Sequence, residues 1–198
     1  DGTFLNNFKN SDIDFVGFEP SANVADKALK NQIRTLKSFF SLKNIDQIND
    51  FKMKTDVIFA ANAICHIPDL IDVIKSVDKL LSTKGVFIFE EPYLGSMFEK
   101  ISYDQIYDEH IYMFSATSVK KIFNIYNMEL IDVYKQPSHG GSMRYVISRK
   151  GQREINNNVD TILSEEKKKN LDNISSCLSF KSACETSKDK LKKSLLEF

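Results

Sequence analysis

Asp56-Val-Ile-Phe-Ala-Ala-Asn62 and Val86-Phe-Ile-Phe-Glu90 are the two stretches that decide the fold. Both are apolar runs without alternation, which is typical of strands covered on both faces. Between them, Pro68 suits the first turn of a helix. Apolar residues then recur at helical spacing at Leu70, Ile71, Ile74, Val77, Leu80 and Leu81. We expect Lys84-Gly85 to end this helix. The β-α-β order predicts an α/β fold with a parallel sheet and helices on both faces.

The same alternation is found on the N-terminal side. Residues 14–20 form an apolar run that predicts a buried strand, and residues 21–33 predict a helix. A third short strand is expected at 35–40, with Phe39 and Phe40 in the core, and a short helix at 45–51. The opening residues 1–5 are typical of the exit of a strand that turns into a helix. We therefore interpret the sequence as a fragment whose first strand is missing.

A different pattern follows on the C-terminal side. Residues 116–126 predict an amphipathic helix, and 129–134 and 142–148 alternate as strands do. The connection between these strands is too short for a helical crossover, so the pair should be antiparallel. After Gly151 glycine and proline are absent, and the apolar spacing predicts two or three amphipathic helices. The expected architecture is a mostly parallel sheet with an antiparallel terminal hairpin and a C-terminal helical extension.

Composition limits the classes of partner. The 198 residues contain 42% hydrophobic residues, enough for a real core, and the 27 basic residues balance 27 acidic ones. No overall positive field would attract nucleic acid or an anionic membrane, so a small-molecule partner is favoured. The sequence contains no targeting segment and no apolar run of membrane-spanning length. Three cysteines without CxxC spacing argue against a disulfide framework and favour a reducing cytoplasm.

The stretch Ser102-Tyr-Asp-Gln-Ile-Tyr-Asp-Glu-His-Ile-Tyr112 is the first candidate for chemistry. It holds three tyrosines, three carboxylates and one of three histidines in eleven residues, and it is too polar for a core strand. We predict a loop at the end of the sheet, where open α/β folds bind ligands. His66 and His139 also follow apolar runs, so three loops could converge on one site.

Five motifs resemble the S-adenosylmethionine-dependent C-methyltransferases that act on nucleotide-linked deoxysugars. They stand in the family's order: Asp1-Gly-Thr-Phe-Leu5, Gly17-Phe-Glu-Pro-Ser-Ala-Asn-Val24, Asn62-Ala-Ile-Cys-His-Ile-Pro68, Tyr103-Asp-Gln-Ile-Tyr-Asp-Glu-His110 and His139-Gly-Gly-Ser-Met-Arg144. The resemblance covers residues 1 to about 150 and implies a Rossmann-like class I methyltransferase domain there. It implies that residues 151–198 lead to a C-terminal domain outside this sequence.

The resemblance also implies roles for single residues. Cofactor binding falls to Asp1, Gly2, Glu19, Phe40, Asn62 and Ala63, with Glu19 on the ribose and Phe40 near the adenine. The reaction site would be lined by His66, Tyr107, Glu109 and His110, with His110 as the base. Substrate binding falls to Tyr103, His139, Gly140, Gly141, Ser142 and Arg144. The family usually has histidine at the position of Asp108, which puts substrate choice or local charge in doubt.

These residues permit that chemistry. Methylation of a carbon next to a ketone requires a base for a weakly acidic C–H, and an unperturbed imidazole titrates near pH 6.5, so it can accept a proton at neutral pH. Tyr107 lies three positions before His110, one turn away if the segment is helical. A phenol or the His66 ring could donate to the enolate oxygen. The partner would be a nucleotide-linked sugar, while the oligomeric state stays open.

Purely structural roles also explain several of these residues. His66 could be a structural ring, His139-Gly-Gly could be an ordinary hairpin turn, and a strand that ends in Glu19-Pro20 suits any turn. No metal is predicted: the family's zinc-binding region is not in this sequence, and the spacing of Cys65, His66, Glu109 and His110 does not indicate a zinc site. Two alternative functions remain, a class I methyltransferase acting on N or O of another small molecule and a non-catalytic binding or assembly module.

Overall fold

The structure is a computed structural model that describes residues 1–197. The chain forms two compact units, and each is described by itself. The first comprises Asp1–Lys52 together with Ile71–Leu80, and the second comprises Met53–Leu70 together with the chain from Leu81 onward.

The first unit contains a small parallel sheet. Its elements in chain order are α1 (Thr3–Asn6), β1 (Gly17–Phe18), α2 (Ala22–Lys30), β2 (Thr35–Leu36), a 3-10 helix (Ile45–Phe51) and all but the first residue of α3 (Leu70–Leu80). Strands β1 and β2 pair in parallel over two residues each. The strands predicted at 14–20 and 35–40 were therefore too long, and helix α2 ends three residues before its predicted end. Pro20 has no N–H to donate, so the pairing of β1 cannot continue past Glu19.

The second unit is built on a four-stranded sheet. Its strands are β3 (Thr55–Ala61), β4 (Leu81–Pro92), β5 (Met128–Gln136) and β6 (Ser142–Arg149), in the order β3-β4-β6-β5. Strand β3 is parallel to β4, and β6 is antiparallel to both of its neighbours. Three strands thus share one direction and β6 is reversed, so the predicted antiparallel terminal hairpin is confirmed.

The boundary between α3 and β4 differs from the prediction. Helix α3 ends at Leu80, and Leu81 already pairs with Thr55 in the sheet, whereas a helix ending at Lys84-Gly85 was expected. The register shifts before Val57 pairs with Val86. At Gly85 a Cβ atom would lie 2.6 Å from the Thr55 carbonyl oxygen. Gly85 therefore allows the backbones of β3 and β4 to approach closely inside an irregular strand. Its predicted role as the end of a helix was wrong.

Aromatic rings fill one face of this sheet. Phe89 stacks on Tyr145 and on Phe87, and it also contacts Phe114 and Phe123. Phe123 belongs to α5 (Ala116–Ile125), which starts at a reciprocal capping box formed by Ser115 and Ser118. Burial of these rings fixes the helix on the sheet.

Three further α-helices and three short 3-10 helices (Ile64–His66, Tyr103–Gln105 and Ser138–Gly140) belong to the second unit. Helix α4 (Leu94–Lys100) was not predicted, while α6 (Asn157–Lys168) and α7 (Ile174–Leu196) confirm the expected C-terminal helices. Glu166 of α6 is buried and accepts hydrogen bonds from the backbone of Ala116 and Thr117 at the start of α5. Within residues 1–197, no helix combines the length and apolarity needed to cross a membrane.

Candidate active site

The loop that follows β3, residues 62–66, is held by a buried carboxylate. Glu91 at the end of β4 is fully buried, and its Oε1 accepts hydrogen bonds from the backbone N–H of Ala63 (3.0 Å) and Ile64 (2.7 Å). Asn62 has φ 49° and donates its N–H to the Glu90 carbonyl oxygen. Sequence reasoning missed Glu91, although two consecutive acids that end an apolar strand are an unusual signal.

Cys65 connects this loop to the polar loop, residues 102–112. Its carbonyl oxygen accepts from the backbone N–H of Ile111 (3.0 Å) and Tyr112 (3.3 Å). Its thiol is buried, and this burial, together with the neighbouring Glu91 carboxylate, raises the pKa of the thiol far above its ordinary value. Cys65 is therefore a neutral thiol at physiological pH unless a cation joins it.

The polar loop is irregular, as predicted, with one 3-10 turn at Tyr103–Gln105. It places the ring centroids of His66 and His110 5.0 Å apart. His66 Nδ1 lies 2.8 Å from the Glu109 carbonyl oxygen. A carbonyl can only accept, so Nδ1 carries the hydrogen, and in the neutral ring Nε2 holds the lone pair.

His110 has a partner on each ring nitrogen. Nδ1 lies 2.9 Å from the Gln105 carbonyl oxygen, and Nε2 lies 2.6 Å from the Tyr107 hydroxyl. The carbonyl again requires the hydrogen on Nδ1, so Tyr107 donates its O–H to the Nε2 lone pair. The ring centroids of Tyr107 and His110 are 4.0 Å apart. The local turn, closed by the bond from the His110 N–H to the Tyr107 carbonyl, produces this pairing.

The other polar residues of this loop are more open. Tyr103, Tyr107, Asp108 and Glu109 are exposed, while His110 is half-buried. Glu109 contributes its backbone carbonyl to His66, and its carboxylate bonds to no residue in the part of the chain that the structure describes. The pair that the loop brings together is thus Tyr107 with His110, and the Glu109 side chain lies outside it.

The hairpin loop between β5 and β6 joins the same region. Gln105 Nε2 donates to the His139 carbonyl oxygen and Lys100 Nζ to that of Gly140, both at 2.5 Å. His139, Gly140 and Gly141 all have positive φ, and a Cβ at Gly141 would lie 2.6 Å from Ser96. The glycines are therefore required by the turn. All three histidine-bearing loops are connected by hydrogen bonds in this unit.

Two predicted substrate residues already have protein partners. Arg144 directs Nε and Nη2 at Glu90 Oε2, at 3.1 and 2.9 Å, and Glu90 Oε1 accepts from Ser138. Ser142 is buried and donates to the Ser138 carbonyl oxygen. Glu90 therefore anchors the hairpin loop on the face of β4 opposite to that of Glu91.

The first unit holds four predicted cofactor residues. Asp1 accepts from the Thr3 N–H and pairs with Lys27 at 3.6 Å on the surface. Gly2 has φ 78°, and a Cβ there would lie 3.0 Å from Ile33. Glu19 Oε1 accepts from the Ser21 N–H at 2.9 Å. Phe40 packs edge-on against Phe18, whereas Phe39 is 65% exposed, so its predicted core position was wrong.

Comparison with known families covers almost the whole chain. Residues 1–133 match the family model described as a methyltransferase domain, and residues 137–198 match the one described as a C-methyltransferase C-terminal domain. C-methyltransferase NovU of Streptomyces niveus is 27% identical over 167 residues, which make up 84% of this chain and 40% of NovU. The chain thus spans about 40% of the length of this curated relative.

Solved structures share the fold at low sequence identity. The PH0226 protein from Pyrococcus horikoshii OT3 superposes with a TM-score of 0.56 at 16% identity, over 75% of this chain and 77% of that one. A SAM-dependent methyltransferase from Thermotoga maritima, described as a possible histamine N-methyltransferase, gives 0.51 at 18% identity over 66% and 71%. These likenesses confirm the predicted Rossmann-like class I methyltransferase fold.

Proposed function

This chain belongs to the methyltransferase domain family, and from that premise we propose that it acts as an S-adenosylmethionine-dependent C-methyltransferase. The proposed reaction removes a proton from a carbon next to a ketone of a nucleotide-linked deoxysugar and methylates that carbon. Methylation of carbon is supported by the matched C-terminal domain and by the likeness to NovU. The sugar substrate is supported by the motif at residues 103–110.

The residues present fit the cofactor. When bound, S-adenosylmethionine supplies a methyl group on a positively charged sulfur. We assign Glu19 to the ribose: the Ser21 N–H orients its carboxylate through Oε1, and Oε2 accepts no hydrogen bond from residues 1–197. A carboxylate held in this way can accept from two neighbouring hydroxyls. Asn62 and Ala63 are assigned to the methionine end, with Asp1, Gly2 and Phe40 as further cofactor residues.

The observation that carries the proposal is the state of His110. Its Nδ1–H is fixed by the Gln105 carbonyl, so Nε2 is the basic nitrogen, and this nitrogen already accepts a proton-bearing group, the Tyr107 hydroxyl. A base needs its lone pair aimed at a proton within hydrogen-bond reach. His110 meets this requirement once the substrate C–H replaces the Tyr107 hydroxyl at Nε2.

The proposed reaction passes through an enolate. The C–H proton moves to His110 Nε2, and the electron pair of that bond forms the enolate. The displaced Tyr107 hydroxyl donates to the enolate oxygen, and the His66 ring is assigned to the same reaction site; one such donor contributes about 3 to 4 kcal/mol in a preorganised site. The carbon electron pair would then take the methyl group that bound S-adenosylmethionine supplies, and the electrons of the broken bond would stay on sulfur, leaving S-adenosylhomocysteine. The His110 imidazolium finally releases its proton to water.

Substrate contacts are proposed for the loops around this pair. Tyr103 is exposed in the same loop as Tyr107, and Gln105 and Lys100 hold the turn of His139, Gly140 and Gly141 beside it. Ser142 shapes that turn from a buried position. Arg144 keeps its Nη1 group outside its contact with Glu90 and is assigned to an anionic group of the substrate.

Solvent deuterium exchange tests the base. The chain, with S-adenosylhomocysteine and a keto-deoxysugar nucleotide in deuterium oxide, should exchange hydrogen at the carbon to be methylated. His110→Ala should slow this exchange by roughly 100-fold or more, the usual contribution of a positioned base. Asp104→Asn, an exposed change in the same loop, is the control and should exchange at the normal rate. Exchange at full rate in His110→Ala contradicts the assignment.

The two alternatives give different results. Labelled methyl groups found on nitrogen or oxygen of the product would favour a heteroatom methyltransferase. Calorimetry with S-adenosylhomocysteine addresses the non-catalytic module, because absence of binding to the intact chain would favour that function. Glu19→Gln should weaken binding if the ribose assignment is right, since an amide cannot accept at both positions.

A further inference from the structure

Three side chains with metal-ligating atoms meet in the second unit, and one of them is the proposed base, His110. Cys65 Sγ and one ring nitrogen each from His66 and His110 all lie within 4.8 Å of one another. In a tetrahedral zinc site with bonds of about 2.3 Å to sulfur and 2.0 Å to nitrogen, the ligand atoms are roughly 3.3 to 3.6 Å apart. Side-chain rotations that bring these ligand atoms from within 4.8 Å to that separation would therefore place them around one ion.

The two rings are oriented as metal ligands usually are. A ligating histidine commonly donates its second ring N–H to a carbonyl or carboxylate, which fixes the tautomer and raises the basicity of the other nitrogen. His66 donates Nδ1–H to the Glu109 carbonyl, and His110 donates Nδ1–H to the Gln105 carbonyl. Both rings thus leave Nε2 as the nitrogen with a lone pair for an ion, and at His110 the ion would displace the Tyr107 hydroxyl.

A buried carboxylate provides an independent indication. Glu91 is fully buried, and its Oε2 atom has no hydrogen-bond partner among the described residues. A buried charge without a full set of partners is costly. An ion bound by the neighbouring Cys65 would give this unpartnered oxygen a nearby positive charge.

We propose that Cys65, His66 and His110 bind a divalent ion of the Zn²⁺ type, with a fourth position left to water. On binding, the Cys65 S–H gives its proton to the buffer and the thiolate bonds to the ion. With His110 Nε2 on the metal, no lone pair remains to accept a substrate proton, so the ion acts as an inhibitor. This last consequence rests on the proposed function, whereas ion binding does not.

Cobalt absorption tests the ligand set. Co²⁺ added to the intact chain should give a near-ultraviolet thiolate-to-cobalt band. Cys65→Ser should abolish the band, while Cys177→Ser and Cys184→Ser should retain it. His66→Asn and His110→Asn should weaken Zn²⁺ binding by at least the 10- to 100-fold that loss of an outer-shell partner costs. His139→Asn, which changes the third histidine, should bind normally. A band that survives Cys65→Ser overturns the proposal.

Proton release tests the site without any substitution. Calorimetry of Zn²⁺ binding in two buffers of different ionisation enthalpy should show release of about one proton from the Cys65 thiol. Binding without proton release, or no binding, overturns the proposal even if Cys65→Ser does not fold. Inhibition of methyl transfer by Zn²⁺ is measured separately. An inactive chain that binds Zn²⁺ with proton release would contradict the proposed function and leave the metal site supported.

Discussion

Two loops carry the proposed chemistry of the second unit, and they are held in opposite ways. The loop at residues 62–66 is fixed from the inside, through the fully buried Glu91 carboxylate and two backbone N–H groups. The central part of the polar loop at residues 102–112 is held by exposed contacts, where Tyr107 bonds to His110 and Gln105 donates to the carbonyl of the hairpin loop. The C-terminal end of the polar loop is joined to the other loop by two backbone N–H groups that donate to the Cys65 carbonyl.

Because of this difference, we expect the two loops to have different roles in ligand binding. A buried carboxylate with two short hydrogen bonds gives a rigid position, which suits groups that must be in place before a ligand arrives. An exposed pair whose hydrogen bond is made within the loop can exchange that bond for one to a substrate. We therefore expect substitutions near Glu91 to change folding stability and substitutions at Tyr107 to change mainly the site.

The largest effect should come from Glu91→Ala. Removal of the carboxylate leaves the buried N–H groups of Ala63 and Ile64 without an acceptor, which should cost about 2 to 4 kcal/mol of unfolding free energy. Glu91→Gln keeps an acceptor oxygen and is the matched control, with less than half of that loss. Chemical denaturation measures both. Equal stability of the two variants would show that the carboxylate does not hold the loop.

Gly140→Ala should have an intermediate effect. Gly140 has φ 74°, and a Cβ there would lie 2.8 Å from Gln105 Nε2. The left-handed backbone costs about 1 to 2 kcal/mol for alanine, and the Gln105 contact should add to it. Gly151→Ala is the matched control, because Gly151 has φ 73° with no atom within 4 Å. If thermal unfolding shifts equally in both variants, Gln105 does not tie the hairpin loop to the polar loop.

Tyr107→Phe should change stability less, by under about 1.5 kcal/mol, because its hydrogen bond is exposed. Tyr103→Phe serves as the control, since Tyr103 is an exposed tyrosine of the same loop. Equilibrium denaturation compares the two variants. A loss as large as that of Glu91→Ala would contradict the distinction between an internally and an externally held loop.

The smallest effect at neutral pH is expected for Tyr145→Phe. The Tyr145 hydroxyl is buried and has no hydrogen-bond partner within residues 1–197, and burial raises its pKa well above 10. The folded state then keeps a proton that the unfolded state loses, so this stability is present below about pH 10 and is lost as the pH rises further. Above pH 10 the substitution should reduce the fall in stability by up to about 1.4 kcal/mol per pH unit. An unchanged alkaline slope would contradict it.

Residue patterns predicted the second unit well. Strands β3 and β4 followed from unbroken apolar runs, and the β5–β6 hairpin followed from alternation across a short connection. The start of β4 could not be predicted, because Leu81 suits a helix and a strand equally and only its pairing with Thr55 decides. Helix α4 was missed because Gly95 within Leu94–Lys100 weakens the helical pattern.

The candidate site was only partly visible in the sequence. The polar loop and its histidine followed from composition and from the family motif. The two consecutive acids at the end of β4 were an unusual signal, but they did not show which of them is buried or which N–H groups Glu91 would bind. The pairing of Arg144 with Glu90 across the sheet could not be predicted from the sequence around either residue. Such roles depend on strand register, which local patterns do not specify.

The tautomer of His110 tests the central claim most directly. Nitrogen-15 magnetic resonance of the chain labelled at its histidines distinguishes Nδ1–H from Nε2–H in the neutral ring. We expect hydrogen on Nδ1 of His110, with a shift at Nε2 when Tyr107→Phe removes its donor and no such shift in Tyr103→Phe. Hydrogen on Nε2 would contradict the role of His110 as the base, because the ring would then have no lone pair facing Tyr107 and none to offer a substrate proton.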